Sequence, residues 1–220
     1  MPSRPTVDQG SSRSRLLQAA KRLFALQGYE QTATSAIARE AGTSESQLMR
    51  YFGGKVGLLD ALFNDAWAEI NERVRKVAQA APSNREAIVG VLQLITTALA
   101  RDANLATLFL FEGRRMRGAE PRVRLPGGLQ AFAEVVKGLV RKAQTDRELD
   151  SRLDAGAMTS AMMGACEAMI RDRVLARLGG SRAFAEREIK RTLDAMLLGF
   201  STPASRPVKP GRGPRARTAS

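Results

Sequence analysis

The stretch TSAIAREAGTSESQLMRYFGGK, from Thr34 to Lys55, decides the fold. Its first segment carries Ile37, Ala38 and Ala41 on a narrow apolar stripe, with Arg39 and Glu40 left to water. Gly42 follows, a residue that enters the left-handed conformation ending a helix at little steric cost. Ser44 then stands as N-cap of a second helix, and Gln47, three residues on, completes a capping box. Leu48 and Phe52, at i and i+4, dock this helix on the first, while Ser46, Gln47, Arg50 and Tyr51 face outward. Gly53-Gly54 stops it, and Lys55 lies at the entrance of a third, longer helix. Two short helices about a glycine turn read as a helix-turn-helix. The dominant use of that unit is to present the N-terminal end of its second helix to the major groove of DNA.

Upstream, Leu16, Leu17, Ala20, Leu23, Phe24 and Leu26 recur at helical spacing and end at Gly28-Tyr29. A trihelical core therefore has all its parts between about Ser12 and Phe52. Downstream, the pattern stays helical. One long helix spans about Lys55–Ala80, broken by Pro82-Ser83, and others follow near Asn84–Ala100, Asn104–Arg117 and Leu129–Gln144. The segment 118–128, with two prolines and three glycines, interrupts. Two final helices cover about Asp154–Leu178 and Ser181–Phe200. No segment alternates long enough to argue strand, so the fold class is all-α, with about nine helices. The expected organisation is a flexible arm over 1–10, a DNA-binding domain over 11–71 with its helix-turn-helix at about 34–53, an effector-binding and dimerisation domain over 72–200, and a disordered basic tail over 201–220.

Composition excludes as much as it suggests. Histidine is absent, which removes every Ser-His and Cys-His nucleophile and every metal site built on imidazole. There is no P-loop, no dinucleotide fingerprint and no cysteine cluster. The expectation is a protein that is not an enzyme and needs no cofactor or metal. Cys166 is the only cysteine, so no intrachain disulfide forms and a cytoplasmic setting is expected. No apolar run reaches the roughly 18 residues of a membrane span, so no membrane partner is expected. The net charge is +13, distributed as +3 over residues 1–60, +5 over 61–200 and +5 over 201–220. A basic chain suits a polyanion, yet the surplus is not concentrated on the helix-turn-helix. Near the start, Arg13 or Arg15 is a candidate for contact with the DNA backbone or minor groove.

From Leu16 to Leu62 the chain resembles the TetR family of bacterial transcriptional regulators. Ala20, Phe24, Gly28-Tyr29, Thr34, Ile37-Ala38, Gly42, Leu48, Tyr51-Phe52, Lys55 and Leu58-Leu59 fall where that family's pattern expects them. Similar proteins often have Gly-Thr where Ser46-Gln47 stands here. They often have a tyrosine, typically on a DNA phosphate, at the place of Met49. The resemblance implies a homodimeric regulator, most simply a repressor, on a palindromic double-stranded DNA operator, released by a small-molecule effector. Ser46, Gln47 and Arg50 would then read bases, and Thr34, Ser35, Ser44, Tyr51 and Lys55 would belong to the DNA surface, largely as phosphate contacts. Gln47 suits adenine N6/N7. Glu45 would accept from cytosine N4 or serve as a first-turn acid on the helix dipole, and the residues leave both open.

The same resemblance implies that the two C-terminal helices form the dimer surface. Ala157, Ala161, Gly164, Ala165 and Ala168 allow close approach, and Met158, Met162, Met163, Met169 and Ile170, with Phe184, Ile189, Leu193, Met196, Leu197 and Phe200 on the second helix, supply bulk. It also implies an effector cavity among the central helices. Ile95, Leu99, Phe109, Phe111 and Met116 are its candidate apolar walls and Glu112 its polar anchor for a cationic group. Two other readings stay open: a regulator answering to a protein partner, and a sequence-indifferent basic protein that coats DNA.

Overall fold

Residues 9–112, 127–177, 179–180 and 183–202 are described by a computed structural model, and among them nine helices follow one another. They are α1 (Gln9–Gln27), α2 (Thr34–Glu40), α3 (Glu45–Phe52), α4 (Lys55–Ala80) and α5 (Asn84–Arg101). After these come α6 (Ala103–Phe111), α7 (Gly127–Thr145), α8 (Ala155–Arg177) and α9 (Glu186–Phe200). The one β pairing among the described residues is an isolated bridge between Leu149 and Ser201.

The boundaries have local causes. Gly28, Gly42 and Gly53 follow α1, α2 and α3 with φ of +82°, +61° and +67°, a region an L side chain enters at a cost. Ser44, Ser83 and Asp102 each accept a hydrogen bond from the backbone N–H three residues on, starting α3, α5 and α6. Asp154 does the same for α8, accepting from Ala157 N at 2.8 Å.

Packing divides the chain into a small head, α1 to α3, and a larger core in which α5 touches α4, α6, α7, α8 and α9. α4 belongs to both, since its first turns pack on α1 and α3 and its later turns on α5 and α7. Leu16, Ala20, Ile37, Leu48 and Leu58 are sealed from solvent in the head, and Ile88, Leu92, Val136, Met162 and Leu193 in the core. Among the described residues no single helix is long and apolar enough to cross a membrane.

Several expectations change. α6 ends at Phe111, and Arg114 to Arg117 lie outside the described residues. α9 begins at Glu186 rather than near residue 181, where Glu188 Oε2 accepts from Ala185 N at 2.7 Å and fixes the first turn. Ser201, assigned to a disordered tail, is buried, and its hydroxyl donates to Leu197 O at 2.9 Å. Residues 203–220 lie outside the described residues. Met158, Met162, Ile170, Ile189, Leu193 and Leu197 are buried inside the protomer, so they are unavailable to a second subunit. Of the small residues on α8, Ala157, Ala161 and Gly164 remain exposed.

Candidate DNA-reading surface and central cavity

The reading surface is built on α3. Leu48 points inward with no exposure, which turns Glu45, Ser46, Met49 and Arg50 to solvent. Ser44 Oγ accepts from Gln47 N at 3.3 Å, the forward half of the expected capping box. The reciprocal half does not form. Gln47 Oε1 instead accepts from Thr43 Oγ1 at 2.6 Å, and the side chain is half-buried against the turn. Arg50 rests 5.2 Å from the Tyr51 ring centroid, and Tyr51 in turn stands 6.1 Å from Phe52. Thr34 and Ser35 open α2, Thr34 half-buried and Ser35 exposed.

Lys55 has a structural task. Its Nζ donates to Tyr29 O at 3.0 Å and Glu30 O at 3.2 Å, and lies 4.5 Å over the Tyr29 ring. An ammonium has three donors, so these two bonds leave one. Arg13 and Arg15 are also engaged within the protein. Arg13 pairs with Asp65 at 2.9 Å and lies 5.6 Å over the Phe52 ring, and Arg15 Nε donates to Ala41 O at 2.9 Å.

Two contacts tie the head to the core. Lys21 of α1 pairs with Asp102 at the start of α6, at 2.6 Å. Burial pushes the Asp102 carboxyl upward, but the Lys21 ammonium and the Leu105 N–H outweigh it and hold the group below the usual carboxylate range. At the other end of α6, Glu112 is 6% exposed and its Oε1 accepts from Tyr29 N at 3.4 Å. Glu112 thus serves the head rather than the cavity. The expectation of an effector anchor fails because the α6 terminus lies against the loop that follows α1.

The cavity lies between α4, α5, α6, α7 and α8 and encloses about 780 Å³. That is within the range of small-molecule sites. Its apolar wall includes Trp67, Ile95, Phe109 and Phe132, with the Trp67 ring 5.2 Å from Phe109 and 5.8 Å from Phe132. Polar lining comes from α7 and α8, chiefly Glu134, Lys137 and Glu167. Cys166 also lines it. Burial pushes its thiol from an ordinary 9.0 up to about 12, so it behaves as a small apolar group.

Of the expected walls, Ile95 and Phe109 are in place. Phe111 is not: it is 50% exposed, because two residues along α6 from Phe109 is a turn of about 200°. Leu99 is buried one turn beyond Ile95, beside Arg173 and Val174 of α8 and outside the cavity. Met116 lies outside the described residues. Sequence reading missed Trp67 and Phe132 as cavity walls. Trp67 carried a usable signal, being the single tryptophan and standing four residues after Phe63 on the apolar face of α4.

Comparison with known proteins agrees with this geometry. Residues 16–62 match the model for bacterial regulatory proteins of the tetR family. The fatty acid metabolism regulator protein of Bacillus subtilis (strain 168) is 26% identical over 139 residues, 63% of this chain and 71% of that relative. Two solved structures share the fold. The fatty acid degradation regulator FadR from Bacillus halodurans matches at a TM-score of 0.76 and 20% identity, over 90% of this chain and 97% of the other. FadR from Bacillus subtilis in complex with stearoyl-CoA matches at 0.74 and 21%, over 84% and 96%. The matched segment, Leu16 to Leu62, is the one that folds here into the head and the first turns of α4, and over it the chain matches bacterial regulatory proteins of the tetR family, carrying the helix-turn-helix of a DNA-binding transcriptional regulator.

Proposed function

We propose that the protein is a homodimeric, ligand-responsive repressor, acting in the cytoplasm and without catalytic activity, that occupies a palindromic operator and leaves it when a small molecule fills the central cavity. Residues 11–71 act as the DNA-binding domain and 72–200 as the effector-binding and dimerisation domain. A two-fold dimer sets its two α3 helices about 34–36 Å apart, or a multiple of that, which is why the operator is an inverted repeat. Exposed Ala157, Ala161 and Gly164 on α8 support close approach of a second subunit there.

Within each half-site, Ser46, Gln47 and Arg50 read bases, with Glu45 at the rim. Thr34, Ser35, Ser44, Tyr51 and the remaining donor of Lys55 hold phosphates and fix register.

One observation carries the ligand response: α6 spans from cavity to head in three residues. Phe109 forms part of the cavity wall, and Glu112 grips the Tyr29 amide. A ligand that prefers a displaced Phe109 moves Glu112 with it and shifts the head, and it weakens DNA binding by its differential affinity alone. The cavity's size and aromatic lining suit a long apolar chain. The relative named for fatty acid metabolism and the structure holding stearoyl-CoA support a fatty acyl group as that chain.

Titrating stearoyl-CoA, and separately stearate, into the protein bound to an operator selected from random duplexes tests this. A saturable rise in Tm together with loss of the operator complex is expected with one or both. Neither change, with Phe109→Ala indistinguishable from wild type, would remove the acyl-chain reading and favour control by a protein partner.

A further inference from the structure

α3 turns three polar side chains and one large apolar one to solvent. Met49 is 54% exposed, while its neighbour Leu48 is sealed. Ser46, Met49 and Arg50 stand at i, i+3 and i+4 and share one face. Arg50 is drawn onto the Tyr51 ring, and Met49 Sδ lies 3.7 Å from where a Cβ on Gly54 would stand. The glycine leaves the thioether room to swing over the turn.

A thioether has no donor and is a weak acceptor, so Met49 has no strong bond to offer a phosphate oxygen. Its favourable contact is apolar, and the major-groove edge of the base pairs holds one apolar group, the C5-methyl of thymine. The side chain has three rotatable bonds and a polarisable sulfur, which let it follow that methyl without a fixed geometry. We infer that Met49 reads a thymine in each half-site, covering the C5-methyl with its own terminal methyl and sulfur. The inference rests on α3 lying in the groove and adds an apolar reader to the polar ones.

Deoxyuridine keeps every hydrogen-bonding group of thymidine and removes only the methyl. The full-length protein is used to select an operator from random duplexes, and each thymine is then replaced singly by deoxyuridine. Wild-type protein should lose about fourfold in affinity at one thymine per half-site, the worth of one buried methyl. Met49→Ala, which strips the contact from both half-sites of the dimer at once, should bind the unmodified operator about sixteenfold more weakly and show no further loss at that position. Met49→Leu should restore the sensitivity. If wild type shows no methyl-sensitive thymine, or Met49→Ala keeps the same sensitive position, Met49 reads no thymine. A wild-type chain that enriches no duplex would overturn the placement of α3 in the groove and this inference with it. The scan on wild type alone suffices to overturn the inference even if a variant is poorly folded.

Discussion

Head and core are both all-helical and share one continuous apolar cluster, yet they are built on opposite plans. The head is closed. Leu16, Ala20, Phe24, Ile37 and Leu48 are essentially unexposed, and its loops are pinned by Lys55 and by Thr32, whose hydroxyl donates to Gly28 O at 2.7 Å. The core is hollow, with a cavity of about 780 Å³ whose wall sets apolar side chains beside Glu134, Lys137 and Glu167. A surface that must match a rigid duplex is best held still, whereas a site that admits a guest must leave unfilled volume and the dispersion energy that goes with it.

The contrast is broken most severely by truncation. Leu48→Ala removes a sealed side chain and should cost about 2–5 kcal/mol in urea unfolding, taking operator binding with it. Met163→Ala, on a half-buried side chain that already borders empty space, should cost under about 1.5 kcal/mol and leave operator binding intact. Equal costs would mean that the core is as tightly filled as the head.

Next in size is the link between the two regions. Glu112→Ala leaves the Tyr29 N–H without that acceptor and should cost about 1–3 kcal/mol. It should also blunt release from DNA by ligand while leaving ligand affinity near wild type. A variant with full ligand response would show that coupling runs elsewhere, through α4 or through the Lys21–Asp102 pair.

Within the head, reading and holding separate by salt. Gln47→Ala should lose about 1–3 kcal/mol of discrimination at one base position, seen as relaxed preference there in competition binding. Lys55→Ala should weaken all duplexes alike and shallow the salt slope, with some loss of Tm because Tyr29 and Glu30 carbonyls lose their donor.

The smallest effects are in pH. Asp102 has a lowered folded-state pKa, so its stabilisation is complete above its ordinary carboxylate range and is lost as pH falls through that range and below. Head–core attachment should weaken on that acid side in wild type and not further in Asp102→Asn. Cys166 is shifted the other way. Its contribution is full below about pH 9 and declines as pH rises toward about 12, a slope that Cys166→Ala should abolish in alkaline unfolding. At pH 8 the thiol should resist iodoacetamide in the folded protein.

The head was legible because its signals are local. Gly42, Ser44 and Gly53 announce turns and caps within a few residues, and the observed φ values and the Ser44 bond follow. Even there Gln47 departed: its side-chain oxygen accepts from the Thr43 hydroxyl in place of the Ser44 N–H. The cavity was poorly legible because an absence of atoms leaves no periodic trace. Phe109 and Phe111 look alike in a helical run, and only the rotation of α6 against Trp67 decides which faces inward. Glu112, expected as a polar anchor in the cavity, is instead buried under the loop at Tyr29, a contact 83 residues apart in the chain.

Tyr29 is gripped by its peptide group, the amide by Glu112 and the carbonyl by Lys55. Every amino acid except proline supplies the same two atoms at that place. The junction between the end of α6 and the head is therefore written in main chain. Exchange of the phenol for another side chain should leave the signal able to pass, whereas proline there should silence it.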